Sequence, residues 1–199
     1  MAFECHKCER VGLKYQRKYR PIEFLEGRRN SLIWIVGLNP KGDLGTKDER
    51  DAEELQNCLE GEIYPYFRDF RRVSQRLYDL LGKDRGVAHT DIVKCFSEQF
   101  PVRGWKGEHT RSVINNCKEY LGQQIREFRP RIIVCNGSVV SQTLRTIITP
   151  EVDCGTSYIG HLDGRETVVV LSGFIGRIDN YAKARLGKEI EIYMERYGI

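Results

Sequence analysis

No stretch of this 199-residue chain approaches the roughly 18 consecutive apolar residues that a membrane-spanning helix needs. Residues Met1 to Cys8 contain no apolar leader core, so an intracellular, cytoplasmic protein is expected. Charge of one sign is not in large excess: 32 Lys and Arg stand against 28 Asp and Glu, and a net charge of +4 is only a weak pointer to nucleic acid. There is no internal repeat, low-complexity tract or interdomain linker. One domain covering residues 1–199 is therefore expected, long enough to bury a core.

Seven cysteines are present, and in a reducing compartment they are poor candidates for a disulfide framework. Metal binding, catalysis or burial must account for them. Basic residues crowd the first thirty positions: Lys7, Arg10, Lys14, Arg17, Lys18, Arg20, Arg28 and Arg29. Such a run is either a solvated face or a surface for phosphates.

Apolar periodicity places the elements. Ser31–Val36 is a continuous apolar run ending in Gly37-Leu38-Asn39-Pro40, which reads as a buried parallel strand opening into a loop. Residues 41–64 are polar and show no core-forming face before Tyr64. Phe70, Val73, Leu77, Leu80 and Leu81 recur at helical spacing, giving one helix from Phe67 to Leu81 that stops at Gly82. Val87–Val93 is a second strand, and Val113, Ile114, Cys117, Leu121 and Ile125 form the stripe of a helix ending near Phe128. Arg131–Cys135 and Glu166–Leu171 supply two more strands, with a short helix to about Ile147 and a closing helix over Asn180–Tyr197. Alternation of this kind predicts an α/β fold: a three-layer αβα sandwich around a short, mostly parallel, four-stranded sheet. Ligands of such folds sit beyond the carboxyl ends of the strands. Here those are Gly37–Asp43, Asp91–Phe96 and Ser172–Asn180.

Cys5 and Cys8 form a C-x-x-C pair that can present two sulfurs to one metal, and Cys95 and Cys117 are placed to complete the set. Taken alone, this pattern fits zinc and an iron–sulfur cluster equally well. Cys135 lies inside an apolar strand and reads as a buried thiol, while Cys58 and Cys154 have no spacing partner.

Several stretches together resemble the family 4 uracil-DNA glycosylases, the bacterial and archaeal class with a [4Fe–4S] cluster. The matching pieces are Cys5-x-x-Cys8, IWIVGLNPKGD from Ile33, HTDIVKC from His89, CKEYLGQQIREFRPRIIVCNG from Cys117, and the apolar strand ending in Ser172. The resemblance implies a cluster held by Cys5, Cys8, Cys95 and Cys117, with zinc the alternative, and DNA as partner to a monomeric enzyme. It makes the loop after the first strand a water-positioning motif, with Asn39 orienting the attacking water and Asp43 the nearest carboxylate to take its proton. A flipped base would stack on Tyr66 or Phe67, core packing being the competing role, more so for Phe67.

Two departures bear on the substrate. The family reads the uracil edge with an Asn where this chain has Asp91. An ionised carboxylate accepts hydrogen bonds and does not donate them, so it suits the exocyclic amine of a cytosine better than O4 of uracil. A protonated Asp91 would still read uracil, which requires a raised pKa. The expected substrate is therefore a modified cytosine, such as hydroxymethylated or glucosylated cytosine of phage DNA, against which glycosylases of this superfamily defend bacteria. The residues from Lys41 to Glu62 and a longer stretch near Gly104 are candidates to enclose the substituent. The second departure is the loss of the family's His after the last strand, where this chain has Ser172 as a weaker stabiliser of the leaving base. Phe174 and Ile175, flanked by glycines, read as an exposed apolar wedge, with Lys41 and Arg177 for DNA phosphates. His89 and His161 read as ordinary surface or hydrogen-bonded histidines. Uracil excision and a non-catalytic DNA-binding relative are the alternative functions.

Overall fold

The computed structural model describes residues 3–17, 20–40, 55, 59, 65–95 and 107–199. Its centre is a six-stranded sheet. β3 (Ile33–Gly37) is buried at every residue and lies between two parallel neighbours, β4 (Val87–Asp91) and β5 (Ile132–Cys135). β8 (Arg165–Val170) extends the parallel set beside β5, and the antiparallel strands β7 (Ser157–Leu162) and β6 (Val152–Asp153) complete the order β4-β3-β5-β8-β7-β6. β1 (Phe3–Cys5) and β2 (Tyr15–Arg17) pair as a separate antiparallel ribbon.

The four expected strands form the parallel part of the sheet, but the sheet is mixed and larger than expected by β6 and β7. The turn from β7 into β8 is Asp163-Gly164, both at positive φ (50° and 75°), which is the backbone a two-residue hairpin turn requires. β7 also carries Gly160 at the place where it crosses Thr149; a Cβ there would lie 2.4 Å from the Thr149 carbonyl oxygen. This glycine breaks the apolar alternation that would have marked the strand.

Strand periodicity divides the core in two. Trp34, Val36, Ala88, Ile133, Cys135 and Val169 face α3 (Glu108–Phe128) and α4 (Ser138–Ile147). Ile33, Ile35, Val87, Ile132, Val134, Val168 and Val170 face α1 (Arg68–Val73), α2 (Gln75–Asp79) and α5 (Asn180–Tyr197). Helices thus cover both faces, giving the three layers. Leu55 belongs to the second core and is fully buried, with Leu59 packed beside it, so the polar stretch does contribute a core contact.

The single helix expected from Phe67 to Leu81 is two helices, broken at Ser74, whose backbone is extended (φ −153°, ψ 125°). The break has a packing cause. Gly187 of α5 lies so close to the carbonyl of Val73 that a Cβ would sit 1.8 Å from its oxygen. Ser74 then caps α2 by accepting from the Leu77 N–H and donates from its hydroxyl to Glu191. Gly187→Ala should lower stability by about 2–3 kcal/mol, read as a fall in the thermal unfolding midpoint. An unchanged midpoint would show that the two backbones separate at little cost.

Candidate active site

The parallel strands deliver their carboxyl ends in one row. Asp91 pairs in register with Gly37, the Asn136 N–H donates to the Val36 carbonyl (2.9 Å), and Ser172 follows β8. The connection after β3 runs on the α1 face and the connection after β5 on the α4 face. The row therefore includes a topological switch point between β3 and β5, where open α/β sheets place ligands. The loop bearing Asn39 is tied to the turn after β4: Ile92 N–H donates to Gly37 O (3.0 Å) and Val93 N–H to Leu38 O (2.9 Å).

Side chains converge at Gly37. A Cβ there would lie 2.2 Å from Asp91 Oδ1, 3.2 Å from His89 Nε2 and 3.3 Å from the Tyr66 hydroxyl, so only glycine leaves room for all three. His89 is buried and bonded on both ring nitrogens, Nδ1 to Glu26 (2.6 Å) and Nε2 to Tyr66 (3.0 Å), with Asp91 Oδ1 3.9 Å from Nε2. Asn136, also buried, donates from Nδ2 to the Tyr66 oxygen (2.7 Å) and accepts at Oδ1 from the Ile175 N–H (2.7 Å). The result is a continuous chain from Glu26 through His89, Tyr66 and Asn136 to the backbone after β8. Sequence reasoning did not single out Glu26 or Asn136 and treated His89 as ordinary; it is hydrogen-bonded, and it lies far from any surface role at 4% exposure.

Burial pushes the Asp91 carboxyl up to about 6, helped by Glu26 and opposed by His89 and Lys94. For His89, burial works against the charged ring, yet Asp91 and Glu26 together raise its pKa above the ordinary 6.5. The elevated Asp91 value brings the protonated form, able to donate a hydrogen bond, close to neutral pH.

Of the other expected site residues, Asn39 is half-buried at the end of β3, its Nδ2 donating to the Pro40 carbonyl (3.3 Å). Ser172 is half-buried, and its carbonyl accepts from the Ser141 hydroxyl (3.3 Å). Tyr66 is half-buried, whereas Phe67 is fully buried against Phe70 and His89 and belongs to the core. Phe174 is 45% exposed with Arg177 beside its ring. Ile175 is fully buried in the α1 and α5 core, so the exposed wedge expected at both residues is reduced to Phe174. The Ile175 N–H donates to Asn136 Oδ1 (2.7 Å). Lys41, Asp43, Glu62 and Gly104 lie outside the described residues.

The opposite face of β4 carries a second buried network. Lys94 donates to Thr90 Oγ1 (2.8 Å), the Asp91 carbonyl (2.5 Å) and Gln124 Oε1 (2.6 Å), and Thr90 and Gln124 both donate to the Phe24 carbonyl. Burial pulls the Lys94 ammonium down to about 7 against the pull of Asp91 and Cys117.

Next to it stand the cysteines. Cys8, Cys95 and Cys117 are buried in the α3-side core and Cys5 packs against it. Cys117 is hydrogen-bonded to Cys8 and to the Lys94 N–H, Asn116 donates to Cys8 (3.4 Å), and Cys5 meets the Tyr120 hydroxyl (3.3 Å). The Cys117 bond draws the Cys8 thiol down to about 6. Among the described residues no three ligand side chains stand in a ready metal-binding group. The donor set nevertheless fits a thiophilic centre: all four are sulfur, and Lys7 and Tyr120 both feel Cys5 and Cys117.

A model of the uracil DNA glycosylase superfamily matches residues 24–174. The chain belongs to that superfamily. The matched span runs from Phe24, at the Lys94 network, to Phe174, and contains Glu26, Gly37, Asn39, Tyr66, His89, Asp91, Asn136 and Ser172. Cys95 and Cys117 lie inside it, Cys5 and Cys8 before it. A shorter stretch is similar to a 1-deoxy-D-xylulose 5-phosphate reductoisomerase of Thermoanaerobacter sp. (strain X514), 28% identical over 112 residues. That similarity covers 54% of this chain and 28% of that enzyme's length.

Asp91 offers a stability test. A carboxyl whose folded pKa lies near 6 rather than 3.8 contributes stability below 3.8 that is lost as pH rises through 6. Asp91→Asn should therefore unfold at a higher temperature than wild type at neutral pH, with the gap closing below about pH 4. A gap independent of pH would place the effect in packing instead.

Proposed function

We propose that this protein is a DNA glycosylase that flips a pyrimidine from DNA and hydrolyses its N-glycosidic bond, leaving an abasic site. The observation that carries the reading is the convergence of Asp91, His89 and Tyr66 on Gly37, two residues before Asn39, in a chain of the uracil DNA glycosylase superfamily. N-glycosidic cleavage passes through an oxocarbenium-like sugar and a departing base anion. A water held by Asn39 needs little activation to attack such a sugar, and Asp43 is the carboxylate nearest in sequence to accept its proton. Tyr66 offers the half-exposed ring for the base, and Asp91 the group that reads its edge. Phe174 would serve as an apolar wedge and Arg177, beside its ring, as a phosphate contact, with Lys41 a further phosphate ligand.

The preferred substrate is a modified cytosine, with hydroxymethylated or glucosylated phage DNA the setting. An ionised Asp91 accepts from the exocyclic amine of cytosine. Its value near 6 also gives a protonated form that serves uracil, which makes uracil excision the second reading. Duplexes carrying uracil, 5-hydroxymethylcytosine or its glucosylated form, incubated with the protein and cleaved with alkali, should break at the modified cytosine. Asn39→Ala should slow breakage by about 100-fold or more, and Asp91→Asn should shift preference toward uracil. Intact strands throughout, with binding retained, would show a DNA-binding relative without catalysis.

For the cysteines we propose a [4Fe–4S] cluster on Cys5, Cys8, Cys95 and Cys117, zinc being the alternative. Its role is structural: thiolate ligation would pin the basic N-terminal ribbon to α3 and the end of β4. Freshly purified protein should be brown and contain iron, and Cys117→Ser should lose both colour and metal. Colourless protein containing zinc would assign the other metal, and metal-free protein would overturn the site.

A further inference from the structure

The cluster at Gly37 stands at the carboxyl ends of the parallel strands, and the opposite edge of the sheet has a different character. Ile132 of β5 and Val168 of β8 are paired in register, and the Val168 N–H donates to the Arg131 carbonyl (2.9 Å). Three residues before this pair the two segments carry Arg129 and Arg165, with Arg131 next to the start of β5. Arg129 closes α3 in the left-handed region (φ 56°), a backbone that favours glycine, with its N–H donating to the Ile125 carbonyl (2.9 Å). Arg165 opens β8 directly after the Asp163-Gly164 turn. A helix end, a strand entry and a hairpin thus bring three arginines to one edge.

Neighbouring arginines are neutralised and these three are not. Arg126 faces Asp163 (3.6 Å), and Arg196 donates to Glu166 (3.1 Å). Among the described residues, Arg129, Arg131 and Arg165 have no carboxylate within ion-pair distance. The contacts that hold them leave the charge intact: Arg129 Nε donates to the Arg126 carbonyl (3.4 Å), and the Arg131 guanidinium lies over the Tyr197 ring (5.8 Å). Arg165 Nε is buried with no hydrogen-bond partner. Burial, then the charges of Arg131 and Arg129, hold its guanidinium below the ordinary arginine range. Like charges in mutual reach repel, and a buried N–H without an acceptor is costly, so an anion seated here would relieve both.

We propose that Arg129, Arg131 and Arg165 form a binding site for a compact phosphate dianion, either inorganic phosphate or the terminal phosphate of a nucleotide. A guanidinium presents paired N–H groups in the geometry that phosphate oxygens accept. Three positive charges gathered at one edge suit a doubly charged monoester better than the singly charged diester of a nucleic-acid backbone. Arg126 and Arg196, which would carry such a backbone onward, are already taken by carboxylates. The five residues of β3, at about 3.3 Å each, set this edge roughly 16 Å from the Gly37 end. An anion held here is therefore separate from the base-binding cluster, and the inference goes beyond the glycosylase reading without depending on it.

The test is thermal unfolding of the whole chain as inorganic phosphate is added, with chloride holding the ionic strength constant. About 10 mM phosphate should raise the wild-type midpoint by about 3 °C. Arg165→Met and Arg131→Met, which keep an unbranched apolar stem and remove the charge, should each lose most of that rise. Arg129→Gln, at an exposed position, removes a charge without disturbing a buried group and should lose it as well. Lys188→Met, which removes an exposed charge elsewhere on α5, should keep the full rise. Titration with deoxythymidine 5′-monophosphate beside deoxythymidine, and with a 5′-phosphorylated oligonucleotide beside its unphosphorylated form, separates the sources: the phosphorylated member should bind more tightly, and Arg165→Met should erase the difference. No rise in wild type, or an equal rise in Arg165→Met and Arg129→Gln, overturns the site. Equal binding of both oligonucleotides, lost in those variants, would assign a backbone diester and overturn the dianion. Base excision is read in no arm, so the outcome leaves the glycosylase reading to its own test.

Discussion

The close approach of β3 and β4 at Gly37 governs the buried polar cluster at the end of the parallel strands. Parallel pairing sets Gly37 beside Asp91, and the missing side chain leaves space for a carboxylate, an imidazole and a phenol to meet. Burying three such groups is costly unless each is bonded. The chain answers with Glu26 behind the imidazole and Asn136 behind the phenol, so the cluster is held from both flanks. Burial opposes the ionisation of Asp91, whose carboxyl is pushed up to about 6.

Strand periodicity gives the run HTDIVKC two tasks. Within β4, His89 and Asp91 point to the α1 face, toward Tyr66, while Thr90 points to the α3 face. Lys94 follows Thr90 onto that second face, where with Gln124 it fixes the Phe24 carbonyl. Two residues beyond Phe24 stands Glu26, which bridges to His89 through backbone bonds in both directions (2.8 Å each). The lysine network on one face therefore holds the segment that supplies the carboxylate on the other. Cys95 and Cys117 sit next to this network, so the cysteine corner and the site are neighbours through a single strand.

Much of this architecture was legible in the sequence because it depends on local pattern. The four parallel strands are apolar runs, and α3 and α5 carry clear stripes at helical spacing. What escaped depends on contacts between distant segments. The break at Ser74 is imposed by Gly187, more than a hundred positions away, and nothing between Phe67 and Leu81 announces it. β7 was hidden by Gly160, although Asp163-Gly164 was a hairpin signal in plain sight. At the site, Asp91 and Asn39 stood out as members of motifs. Glu26, His89 and Asn136 did not, since a histidine in a strand and an asparagine after one carry no spacing signature. Their significance arises only when three chain segments are brought to one glycine. Ile175 was misread for the same reason: flanking glycines suggested exposure, whereas it packs into the core beside α1 and α5.

That bond has a mechanical side. Asn136 joins two neighbours, the oxygen of Tyr66 and the N–H of Ile175, one well before it in the chain and one well after. Phe174, the exposed aromatic, is the residue immediately before that N–H. The backbone after Phe174 and the Tyr66 oxygen are therefore joined through two short bonds and one planar amide. The exposed tip and the half-buried phenol thus share one anchor at the end of β5.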